Sequence, residues 1–99
     1  TTWRVPTVAK SDPSYNPEEP AWGRPWQHPD WRGAIWMMSN WCIYHGLTRY
    51  GYHAEAAALA TQSVALVERS GMRENYHPET GDGQGAEGFT WSGLVLDMQ

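Results

Sequence analysis

The chain is short of positive charge, has one cysteine and lacks any long apolar run, and each shortage closes off a class of function. Only seven of its 99 residues are lysine or arginine against eleven acids, for a net charge of −4. Arg4, Arg24, Arg32, Arg49, Arg69 and Arg73 are scattered rather than clustered, so no electrostatic footprint for nucleic acid is present. Cys42 cannot form an intrachain disulfide and fits a reducing setting such as the cytoplasm. No stretch approaches the ~18 consecutive apolar residues of a transmembrane helix, and no membrane partner is expected.

Aromatic residues are what the chain has in excess. Seven tryptophans and five tyrosines in 99 residues carry more ring surface than one small domain can enclose. Some of these rings must face a ligand, a partner or the remainder of a larger protein. The sequence starts without Met and stops at Gln99 inside an apolar run. It is therefore expected to be a section of a longer chain, with the missing part of the fold, or a second copy, as its protein partner.

Six of the seven prolines (Pro6, Pro13, Pro17, Pro20, Pro25 and Pro29) fall in residues 1–33. Proline fixes φ and lacks a donor, so this region is expected to be extended and turn-rich, lying on something else. Within it, residues 20–29 read as an exposed loop carrying Trp22 and Trp26, rings suited to packing on a neighbouring surface. The spacing then predicts one helix over about 34–49 and a second over about 53–70. The first is apolar nearly all round, which calls for burial on several sides. Its Asn40 would be either a satisfied core amide or a ligand contact. The second helix is alanine-rich, with a stripe of Leu59, Ser63, Leu66 and Val67 and with Gly71 placed to end it. Residues 89–98 begin a third helix or apolar segment. His45 and His53 have no further ligand at metal spacing, so neither a metal site nor a cofactor is expected.

Chemistry concentrates in residues 74–91. Four carboxylates (Glu74, Glu79, Asp82 and Glu87) sit among glycines at 81, 83, 85 and 88, which disfavour helix or strand. Tyr76, Phe89 and Trp91 speak against disorder, so the stretch is expected to be an ordered acidic loop, over 74–88, beside a sugar-sized site. Glu74 lies just past a helix end at the mouth of this loop, where a carboxylate can stay ionised and reach water. Trp31 and Trp36 flank the start of the first helix, pointing roughly to different sides. A flat indole suits the apolar face of a pyranose. Arg32 can fork onto a carboxylate or tie its loop to backbone carbonyls.

Three motifs stand in series: Trp31-Arg32-Gly33-Ala34-Ile35-Trp36, Glu74-Asn75-Tyr76-His77-Pro78 and Phe89-Thr90-Trp91-Ser92. Together with the Gly46-to-Gly51 turn they closely resemble the C-terminal part of (α/α)6-barrel glycoside hydrolases of family 63. The nearest type is the bacterial mannosylglycerate/glucosylglycerate hydrolase, and the resemblance covers nearly the whole chain. It implies an all-α fold, a small α-mannoside or α-glucoside as substrate, and inverting hydrolysis by two carboxylic residues. It further implies that Glu74 is the general base, that the acid lies upstream of this chain, and that Trp31, Arg32, Trp36 and Tyr76 line the sugar pocket. Asp30 and Ala34 stand where family members commonly have tyrosine and proline, which leaves the sugar open. Two other functions compete with hydrolysis: a non-catalytic sugar-binding or assembly module built on the same barrel, and a phosphorylase. The acidic loop offers no basic cradle for the phosphate a phosphorylase needs.

Overall fold

The computed structural model describes residues 1–18 and 31–99. The expectations for 20–29, with Trp22 and Trp26, and for Asp30 lie outside the described residues. Two helices, α1 (Met37–Arg49) and α2 (His53–Ser70), lead into an antiparallel hairpin of β1 (Arg73–Tyr76) and β2 (Gly83–Glu87), and the chain closes with a 3-10 helix, Thr90–Met98.

The second helix has the bounds that its composition predicts. Alanine and leucine favour helix, and Gly71, at φ +77°, ends it with its N–H on the Val67 carbonyl at 2.7 Å. The first helix starts three residues later than the pattern implies. Both backbone groups of Ile35 are taken by Tyr76 (N–H to carbonyl 2.8 and 2.9 Å), and Trp36 is extended at φ −112°, ψ 131°. An extended pair of residues cannot also wind into the first helical turn.

The larger difference is the expected irregular loop, most of which is a hairpin. Its turn, residues 77–82, closes through the His77 N–H on the Asp82 carbonyl and the Gly81 N–H on the His77 carbonyl, at 2.9 and 2.8 Å. The glycines do not prevent the strand because β1 supplies the side chains, which cross over β2. A Cβ at Gly83 would collide with Arg73 Cγ, so that glycine leaves room for the arginine to pass.

The core joins both helices, β1 and the 3-10 helix. One cluster gathers Ile35, Met37, Leu66, Tyr76 and Val95, with Trp3, Val64 and Val67 against it. A second gathers Leu59, Ala60 and Met98, with Val5, Trp41, Tyr44 and Leu47. Burying each large apolar side chain contributes about 1.5–3 kcal/mol. Asn40 is a satisfied core amide: Oδ1 accepts from Val5 N at 3.1 Å, while Nδ2 donates to the Arg4 carbonyl and to Ser63 Oγ at 2.9 and 3.0 Å. One side chain thereby ties α1 to α2 and to the N-terminal segment.

That segment is free of helix and strand over residues 1–18, as its prolines require. It lies across the helices and the hairpin turn. Trp3 N donates to the Pro78 carbonyl at 2.8 Å, and Lys10 pairs with Glu79 at 3.0 Å. Not every helical face is covered. Cys42 and Ile43 on α1 and Leu96 on the 3-10 helix are exposed, whereas the composition of α1 calls for burial on several sides. A groove of about 590 Å³ runs between α1, α2 and the chain end, lined by Tyr44, Thr48, Ala57, Ala60, Val64 and Met98 among others. It holds none of the candidate site residues.

Candidate active site

Glu74 is placed by an irregularity in the hairpin. Arg73 faces Glu87 and Asn75 faces Gln84, so Glu74 alone stands opposite both Gly85 and Ala86. Such a bulge adds one residue to a strand and re-aims what lies across from it. Gly85 takes φ +69°, in the left-handed region that glycine tolerates and other residues rarely adopt. The bulge turns the Ala86 N–H toward Glu74, which accepts it on Oε2 at 3.0 Å. A Cβ on Gly85 would lie 2.5 Å from that oxygen and 2.8 Å from Glu74 Cβ. The glycine and the position of the carboxylate thus require each other. Arg73 turns away from Glu74 and reaches the Gly85 carbonyl at 3.0 Å.

The rings collect beside this hairpin. Trp31 and Trp36 stack at 4.2 Å with planes 14° apart, instead of pointing to different sides of a helix. The reason is the extended stretch at 35–36, which removes the helical rotation between them. Phe89 and Trp91 close on Trp36 at 6.3 and 6.2 Å and on each other at 5.3 Å. Trp36 is buried, while Trp31 and Trp91 are 47% and 44% exposed. A stack whose outer members keep bare faces can receive a flat apolar surface, such as one side of a sugar ring.

Two hydrogen bonds tie the segment carrying Phe89 and Trp91 to the hairpin. Phe89 N donates to the Met72 carbonyl at 2.9 Å, and Ser92 Oγ donates to the Arg73 carbonyl at 2.5 Å. The segment carrying Phe89 and Trp91 is therefore bonded to the two residues that precede Glu74. Sequence reasoning did not assign Ser92 or Gly85 to the site. A glycine inside a strand pattern was the available signal for the bulge, but nothing local marks a serine whose partner is nineteen residues away.

Two expected pocket residues are engaged elsewhere. Tyr76 is fully buried in the core, its hydroxyl donating to the Gly71 carbonyl at 2.7 Å and accepting from Arg73 N at 3.2 Å. In a regular strand, residues two apart share a face, so Tyr76 would follow Glu74; its bridge to Ile35 instead fixes it at the core. Arg32 reaches the Ser14 carbonyl with Nε at 3.1 Å, tying its loop to backbone. Two of the loop's other acids, Glu79 and Asp82, are engaged by neighbouring side chains. Glu79 holds Lys10 and Thr2, and Asp82 faces Arg69 at 3.5 Å. His77 accepts the Glu79 and Thr80 N–H groups on Nδ1, so its proton sits on Nε2 and is donated to Glu18 at 3.1 Å. Among the described residues no group of three or more His, Cys, Asp or Glu side chains gathers as metal ligands would.

The helical scaffold is that of a section of an (α/α)6 barrel. The crystal structure of a GH63 mannosylglycerate hydrolase from Thermus thermophilus in complex with glucose matches 97% of the chain at a TM-score of 0.79 and 38% identity. The chain belongs to the mannosylglycerate hydrolase MGH1-like glycoside hydrolase domain family, whose profile matches residues 1–92. It is 45% identical over 91 residues, 92% of its length, to the mannosylglycerate hydrolase of another Thermus thermophilus strain. Mannosylglycerate hydrolase MGH2 of Selaginella moellendorffii is 39% identical over 89% of the chain. The chain spans about a fifth of the length of these relatives, 20% and 17% respectively, and 22% of the matched crystal structure.

Proposed function

We propose that this segment supplies the general base and one wall of the sugar pocket to an inverting glycoside hydrolase acting on a small α-mannoside or α-glucoside, such as mannosylglycerate. What carries the reading is the fixing of Glu74: one carboxylate oxygen is held by Ala86 N–H in a bulge that only glycine permits at 85. No hydrogen bond among the described residues reaches the other oxygen. A base needs one oxygen fixed and one available.

In the proposed reaction, water attacks the anomeric carbon from the face opposite the leaving group. Glu74 takes the water's proton as the new C–O bond forms. The bond to the glycerate oxygen breaks, and a second carboxylic acid outside this segment protonates that oxygen. Inversion requires the two carboxyl groups to stand roughly 6.5–9.5 Å apart so that water fits between. Trp31, backed by Trp36, would receive the apolar face of the ring and align the anomeric carbon with the base. Because the reaction needs two carboxylates, the segment alone is expected to be inactive.

The test is Glu74→Gln in the complete enzyme carrying this segment. It should lower kcat by at least ~10²–10⁴, the contribution of a general base, with KM changed by no more than a few-fold. Near-normal turnover would remove Glu74 from the reaction and leave a sugar-binding module as the better reading.

A further inference from the structure

We infer that the hydroxyls of Ser92 and Tyr76 position Glu74 by holding both backbone groups of Arg73, so that Ser92 and Tyr76 are positioning residues for the reaction proposed above; the inference rests on that reading of Glu74. Ser92 is 1% exposed, and its Oγ donates to the Arg73 carbonyl at 2.5 Å. Tyr76 hydroxyl accepts the Arg73 N–H at 3.2 Å and passes its own proton to the Gly71 carbonyl at 2.7 Å. The Arg73 carbonyl and the Glu74 N–H share one planar peptide unit, so fixing that oxygen fixes the direction in which Glu74 leaves the strand.

Glu74 needs this support because, among the described residues, its side chain has one anchor, Ala86 N–H. A carboxylate held at one oxygen takes its remaining direction from the backbone. The demand is strict, since a base must stand within about 2.6–3.2 Å of the proton it takes, and a misplacement of about 1 Å can cost ~10²-fold in rate. Ser92 also sits on the 3-10 helix that carries Trp91 into the aromatic cluster. The same short helix therefore sets the base and part of the sugar platform against each other. This is a reason for a buried serine in a position that core packing alone would give to alanine.

The test compares single and double variants of the complete enzyme. Ser92→Ala should lower kcat by about 10–100-fold with KM within about threefold. Ser92→Thr, which keeps the hydroxyl, should hold kcat within about threefold of the parent. In a Glu74→Gln background, Ser92→Ala should cost almost nothing further, because no base remains to be aimed. Undiminished kcat in Ser92→Ala, or a loss of the same size with and without Glu74, overturns the inference. Glu74→Gln alone separates the two levels. Normal turnover there defeats the base assignment, whereas an inactive Glu74→Gln enzyme beside a fully active Ser92→Ala enzyme defeats only the positioning role. Tyr76→Phe removes the second hydroxyl and should show the same loss in kcat. It decides the matter if Ser92→Ala does not fold.

Discussion

At the scale of single residues, the structure separates rings and carboxylates that look alike in the sequence. Gly85→Ala should do two kinds of damage. The left-handed backbone costs a residue with a side chain about 1–2 kcal/mol, and the new methyl would displace the Glu74 carboxylate from 2.5 Å away. A modest drop in thermal midpoint with a disproportionate loss of kcat is the expected outcome; an unchanged kcat would mean the bulge does not aim the base. The two stacked tryptophans should also come apart on mutation. Trp36 is buried, so Trp36→Ala should cost about 3–5 kcal/mol of stability, read by denaturant unfolding. Half-exposed Trp31 has less packing to lose. Trp31→Ala should instead weaken sugar binding by about 5–10-fold, the worth of one aromatic contact, as measured by calorimetry. Both rings were legible as candidates in the sequence, but their packing was not. The spacing 31 to 36 implies divergence on a helix, and only the extended residues at 35 and 36, fixed by Tyr76 from forty residues away, make the rings stack.

At the scale of elements, legibility followed the range of the interactions. The second helix is dictated locally by alanine content and a terminal glycine, and its bounds could be read directly. The hairpin could not, because β1 and β2 are held by each other and by Ile35, and a glycine-rich strand carries almost no propensity of its own. The N-terminal segment is a third case, a prolyl stretch whose place depends on charge. The hydrogen bond from Lys10 holds the Glu79 carboxyl below its ordinary 4.5, and the same bond raises Lys10 above 10.5. The stabilisation from a depressed acid is present above its unfolded value and lost as pH falls through the lowered one. For a raised base it is present below the unfolded value and lost as pH rises through the raised one. The tie between the segment and the hairpin turn should therefore be whole from about pH 5 to 10 and loosen outside that window. Hydrogen exchange of Trp3 N–H, which is bonded to Pro78, reads this directly. Protection that stays constant down to about pH 2 would show that the ion pair does not hold the segment.

At the scale of the whole molecule, the surplus of aromatic and apolar side chains becomes intelligible once the chain is a section of a barrel. Leu96 and Ile43 are exposed in this section, and bare apolar side chains of this kind suit burial against neighbouring helices of a barrel. Leu96→Lys should accordingly cost the complete barrel about 1–3 kcal/mol in denaturant unfolding, whereas a true surface position would change by no more than ~0.5 kcal/mol. The same division explains the site. On the reading proposed, this section carries a base and a sugar wall but no acid, so the reaction belongs to the assembled barrel.

The measurement that tests this account most directly is a crystal structure of the complete enzyme bearing Glu74→Gln with intact mannosylglycerate bound. The account predicts a water between the residue 74 side chain and the anomeric carbon, on the face opposite the glycerate oxygen, with the Trp31 indole against the sugar. A side chain at 74 directed away from the anomeric carbon, or a water held by another carboxylate, would contradict it.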